Sequence, residues 1–157
     1  MRPVSKEEAL GITEVRGVLE GLWAARAATA ATPRERQELR QLGYEMQQAV
    51  RRGDVIGHGR SGMELHTHIR EASRLRTASD VLNRLRYHSV RYQFSVTLLP
   101  GRPRWGSRST SRSSRPSWRG SRDWADTLMR EHLLSLADAI KHVPEGIPAM
   151  PPGLSAA

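Results

Sequence analysis

Apolar residues recur at helical spacing along most of this chain. Ser5 followed by Glu8 forms a capping-box signature, so a helix begins there or restarts after Gly11. Ile12, Val15, Leu19 and Leu22 then mark one face through an alanine-rich stretch to about Ala31. Thr32-Pro33-Arg34-Glu35 supplies a second start: an N-cap, a proline at the first helical position and a glutamate at the third. That helix should reach about Arg52 with Leu39, Leu42, Met46 and Val50 inward, and Gly53-Asp54 marks its end.

The pattern weakens from Val55, because Gly57, Gly59 and Gly62 each cost a helix about 1 kcal/mol relative to alanine. It firms up at Met63, Leu65, Ile69 and Ala72. Thr77-Ala78-Ser79-Asp80 opens a further helix carrying Val81, Leu82, Leu85, Tyr92 and Val96 to about Leu99, where Pro100-Gly101 stops it. A last helix runs from about Asp123 to His142, with Leu128, His132, Leu136 and Ile140 along one face and Trp124 near its start. Val143 to Ala157 holds four prolines and two glycines and reads as a disordered tail. The pattern predicts an all-α protein, an antiparallel helical bundle over 12–142, with 1–11 as a linker remnant.

Composition changes this picture in one place. The chain has 157 residues, enough for a single core, and a net charge of +9. Seven arginines between Arg102 and Arg122, with no acidic residue among them, carry most of that charge. The same segment holds seven serines and no Leu, Ile, Val, Ala or Met, so only Trp105 and Trp118 could join a core. It should be irregular and exposed. Arginines that neutralise phosphate beside tryptophans that stack on bases make nucleic-acid binding through 102–122 the alternative function. Against it, the helical remainder offers no basic face.

The absence of cysteine removes disulfides, thiolate metal sites and catalytic thiols. No apolar run is long enough to span a bilayer, and no signal-peptide core follows Met1, so a cytoplasmic protein is expected. No His-Glu-x-x-His helix, phosphate-cradling glycine loop or serine elbow occurs, which argues against an enzyme.

Four motifs, in order, resemble the effector-binding C-terminal domain of GntR-family transcription regulators, the FadR-like FCD type. Glu14-Val15-Arg16-Gly17-Val18-Leu19-Glu20 is similar to that family's opening helix. Gly53-Asp54 is similar to the dipeptide before its third helix, Leu65-His66 with Ile69-Arg70-Glu71-Ala72-Ser73 to the following segment, and Met129-Arg130-Glu131-His132-Leu133 to the closing helix. The resemblance spans roughly Ile12 to His142. It implies a homodimer whose pocket takes a small metabolite, often a carboxylate. It also implies that the winged helix-turn-helix that normally precedes the domain is missing here, so that this chain alone should not bind an operator.

In many members of the family a divalent metal sits in the pocket, held by an aspartate four residues before a first histidine, by that histidine and by two later ones. His66 matches the first histidine and His132 the last, while the aspartate position falls on Gly62. The remaining ligand falls at Thr110. The expected site is therefore incomplete, and zinc or nickel should bind weakly or not at all. The codons of Arg108 to Gly120 can be chosen so that a shifted frame reads an apolar-patterned helix with its histidine at Thr110. That makes 102–122 either out-of-frame sequence or a native Arg/Ser loop. The ligand-binding candidates are Arg16, His66 and His132. Arg16 lies on the face of Ile12, Leu19 and Trp23, and the resemblance implies that it points into the pocket, where its planar fork would suit a ligand carboxylate; otherwise it pairs with Glu20 one turn on. His58, His68, His88 and His142 read as surface residues.

Overall fold

A computed structural model describes residues 4–97 and 121–144 as five helices, with no strand among the described residues. These are α1 (Lys6–Ala30), α2 (Pro33–Arg52), α3 (Val55–Ser73), α4 (Arg76–Thr97) and α5 (Arg122–Lys141). The all-α expectation holds. The Arg/Ser segment 102–120 and the tail from 145 onward lie outside the described residues, as do the readings that fall on them.

The local starts and stops are chemical. Ser5 accepts the Glu8 amide and Glu8 answers with its carboxylate, so α1 begins at Lys6, and residues expected to be a linker remnant are helical, with Ala9 fully buried. Thr32 and Glu35 repeat the device ahead of α2, with Pro33 at its first position. Gly53 ends α2 in the left-handed region at φ 68°, which costs a glycine nothing. Asp54 then caps α3 by accepting the Gly57 amide at 2.8 Å. Capped in this way and packed on its neighbours, α3 runs unbroken through its three glycines. Gly62 faces the Met46 methyl of α2, where a β-carbon would sit 3.5 Å from it.

α1 is the hub, touching α3, α4 and α5, whereas α2 packs on α3. Contacts fix the directions. α5 runs antiparallel to α1: Lys6 reaches the Lys141 carbonyl, Gly17 meets Leu133, and Gly21 lies under Asp126 and Arg130. α2 and α3 are antiparallel as well, with Glu35 paired to Arg74 and Met46 facing Gly62. α1 and α3 instead run in the same sense, since Glu20 meets His66 and Ala27 packs with Ala72. The bundle is thus antiparallel between successive helices of the pairs α2/α3 and across α1/α5, but not throughout.

One core cluster joins Ala9, Tyr92, Val96, Ala139, Ile140 and Val143, so Val143 belongs to the core and not to the tail. A second joins Ala24, Met129 and Leu133. Full burial of a side chain such as Leu133 or Ile140 stabilises the fold by about 1.5–3 kcal/mol. The α2 stripe is as the periodicity predicts: Leu39, Leu42 and Met46 are buried and Val50 is half-buried. Val15, Leu22, Met63 and Val81, which mark the apolar periodicity in the sequence, are exposed. On α1 the side turned inward carries Ala9, Thr13, Arg16, Gly17, Glu20, Trp23, Ala24 and Ala27. Small residues there let neighbouring helices approach closely, and Val15, Val18 and Leu22 are left on the opposite side.

Candidate functional site

A polar seam runs between α1, α3 and α5. Arg16 is 2% exposed and Glu20, one turn later, is 0% exposed. Arg16 Nε donates to Glu20 Oε1 at 2.8 Å. The other carboxylate oxygen accepts from His66 Nδ1 at 2.6 Å, joining α1 to α3. His66 Nε2 in turn lies 3.3 Å from His132 Nε2 on α5, with the two rings tilted at 41°.

A carboxylate facing Arg16 is an acceptor, so the His66 proton on the Glu20 side sits on Nδ1. Nε2 of His66 then faces Nε2 of His132, a contact in which one of the two nitrogens donates. The chain Arg16–Glu20–His66–His132 links α1, α3 and α5. Burial makes this pair unlike an ordinary surface i,i+4 ion pair: removing two charges from water is repaid only by good geometry and further hydrogen bonds, which His66 supplies. One group is left over. Arg16 Nη1 is buried and has no hydrogen-bond partner among the described residues.

The structure therefore brings Arg16, His66 and His132 into one connected group. Sequence reasoning had Glu20 only as a local partner for Arg16, whereas it is the link between helices. The signal was available in the spacing, since Glu20 shares the inward face of Arg16 and Trp23. Gly62 lies one turn before His66 on α3, and Thr110 lies outside the described residues. Of the histidines expected at the surface, His142 is exposed, His58 and His68 are half-buried, and the side chain of His88 lies outside the described residues. A separate groove of about 780 Å³ opens at the α3–α4 corner, lined by Arg70, Arg74, Arg76 and Asp80 among others, and includes none of the seam residues.

Two imidazole nitrogens 3.3 Å apart have the spacing of two ligands on one tetrahedral zinc ion, with bonds of about 2.0–2.1 Å. Glu20, on the far nitrogen of His66, has the place of the carboxylate that orients a ligating histidine. Among the described residues the donor set nevertheless stops at two. No group of three or more His, Cys, Asp or Glu side chains arranged to hold a metal occurs among the described residues, and Gly62 has no side chain to offer. The described residues do not fit a closed metal site.

The motifs around Arg16, His66 and His132 coincide with a family match. Residues 11–135 match the FCD domain. The chain belongs to the FCD domain family. This is the regulatory, effector-binding domain of GntR-type transcription regulators and not a catalytic family. A search of curated proteins returns no match. No helix among the described residues of this FCD domain is long and apolar enough to cross a membrane.

Proposed function

We propose that this FCD domain senses a small carboxylate metabolite, with Arg16 as the residue that pairs with the acid. The observation that carries the reading is Arg16 Nη1: a guanidinium held from behind by Glu20, buried, and with one nitrogen unpaired. A planar fork fixed on one edge presents the other edge for a two-point contact with a carboxylate. His66 and His132 form the adjoining wall and contribute hydrogen bonds to the bound acid. The protein works in the cytoplasm as a homodimer, the assembly its family resemblance implies. Because two nitrogen donors converge among the described residues, zinc or nickel binds weakly or not at all.

Titration calorimetry with a panel of small acids tests the reading. The wild-type chain should bind at least one of them, and Arg16→Gln should reduce that affinity by tenfold or more while the protein stays helical. Binding that is indifferent to Arg16→Gln would overturn it. The frame of 103–121 is checked separately on the coding DNA. A shifted frame that encodes an apolar-patterned helix with a histidine assigns the segment to a frameshift; stop codons there assign it to a native loop.

A further inference from the structure

We infer that the α3–α4 corner is a docking surface for the phosphate backbone of double-stranded nucleic acid, bound without regard to sequence. It uses none of the seam residues and is independent of the carboxylate reading of Arg16.

Charge in this chain is segregated. From Ala72 to Arg122 there are twelve arginines and one acidic residue, Asp80, while the rest of the chain carries two more acidic than basic side chains. Part of that excess belongs to the fold and not to the Arg/Ser segment. α4 holds Arg76, Arg84, Arg86 and Arg91 against Asp80, whereas α1 and α5 each hold one more acid than base. The expectation that the helical part offers nothing basic is thereby corrected.

The corner where α4 begins is also concave. Its groove of about 780 Å³ is lined by Arg70, Arg74 and Arg76, with Glu71 and Asp80 as its acids. Arg74 is paired with Glu35 at 2.8 Å and Arg70 donates to Asn83 at 3.2 Å, so their positions are fixed. Arg76 and Arg84 are exposed and make no hydrogen bond or ion pair among the described residues, which leaves both forks available to phosphate. They lie about 12 Å apart along the α4 axis, a length of duplex over which each strand offers roughly three or four phosphates.

An anionic bilayer is the other surface rich in phosphate. Helices that hold to one also sink large apolar side chains below the headgroups. The apolar residue of this groove is Leu75, which is half-buried, so lipid would find charge without an anchor. Contacts to phosphate carry no sequence information, so this surface does not read an operator. All its residues precede the Arg/Ser segment, and the surface is the same whichever way the frame of that segment is read.

The test uses the full chain and two unrelated labelled DNA duplexes of about 25 base pairs, followed by fluorescence anisotropy between about 50 and 200 mM salt. The duplexes should bind within about twofold of each other, with affinity that falls steeply as salt rises. Arg76→Gln with Arg84→Gln removes two exposed charges. It should lower the slope of log affinity against log salt by about two and weaken binding about tenfold at the lowest salt. Arg40→Gln with Arg52→Gln removes the same charge from exposed positions on α2 and should leave the slope near the wild-type value. Equal losses from the two pairs would mean that net charge alone attracts DNA, and would overturn the corner as a site. So would an absence of binding at the lowest salt. Phosphatidylglycerol vesicles, tested alongside, should lose little with Arg76→Gln and Arg84→Gln; a loss confined to vesicles would make the corner a membrane contact and overturn the proposal.

Discussion

The two flanks of α1 are built on opposite principles. Toward α5 it presents Gly17, Gly21 and Ala24, with Leu133 and Met129 packed on them and the Asp126–Arg130 ion pair closing over Gly21. Toward α3 it presents Arg16 and Glu20, a buried ion pair tied to a histidine and leaving one guanidinium nitrogen without a partner. One flank gains stability by close approach of apolar surface. The other withdraws charge from water, and only the full set of hydrogen bonds offsets that. A helix designed for stability alone would repeat the first arrangement on both sides, so the second reads as the place where stability is exchanged for recognition.

The largest predicted effect breaks the polar flank. Glu20→Ala leaves Arg16 buried without its carboxylate and His66 without its acceptor, and should destabilise the fold by about 3–5 kcal/mol in denaturant unfolding. The double change Arg16→Met with Glu20→Leu removes both charges and should recover most of that loss while abolishing acid binding. Were the double variant as unstable as Glu20→Ala, the seam would be structural and the contrast between the flanks would fail.

A smaller effect is expected on the apolar flank. A β-carbon at Gly21 would overlap the Asp126 carboxylate and press on Arg130. Gly21→Val should therefore cost about 1–3 kcal/mol, the range for overpacking, read as a lower melting temperature. Acid affinity, measured well below that temperature, should stay within about twofold, because a 1.4 kcal/mol change in the site itself would already be tenfold.

Helix ends were legible in the sequence; the buried face of the central helix was not. The capping pairs Ser5/Glu8 and Thr32/Glu35 and the Gly53-Asp54 break act through hydrogen bonds between near neighbours, so sequence spacing contains them. The α2 stripe was legible because its inward side chains are Leu and Met. On α1 a periodicity of large apolar residues picks Val15 and Leu22, which are exposed, since the inward positions carry glycine, alanine and an ion pair that any hydrophobicity count scores as surface. His66 and His132 were legible by resemblance, but their 3.3 Å approach joins residues far apart in the chain, and Glu20 between helices follows only from the packing of α1 along α3.

Gly62 sharpens the same contrast from the metal side. Gly62→Asp places a carboxylate one helical turn before His66, on its face of α3, and the 3.5 Å approach of Met46 to a β-carbon there is ordinary contact. Zinc titration should give no submicromolar one-to-one binding to the wild type. The variant should bind zinc at least tenfold more tightly. Submicromolar binding by the wild type would mean that groups beyond His66 and His132 complete its site.

The smallest effect lies at the start of α2, remote from both flanks. The Thr32 amide donates to Glu35 at 2.8 Å, and this backbone hydrogen bond, assisted by the Thr32 hydroxyl and Arg74, holds the Glu35 carboxyl below the ordinary glutamate value of 4.5. A carboxyl with a depressed folded-state pKa binds protons more readily when unfolded. Its contribution is therefore fully present above 4.5 and is lost as pH falls through the lowered value. Glu35→Gln keeps an acceptor for the Thr32 amide and does not titrate, so its melting temperature should fall below the wild type at pH 7 and converge with it toward pH 3. The difference should be slight, because Glu35 is near solvent, where an ion pair such as that with Arg74 contributes little. A difference that persists unchanged at low pH would show that the cap acts through geometry alone. A difference larger than that caused by Gly21→Val would move the weak point of the domain from the flanks of α1 to the entry of α2.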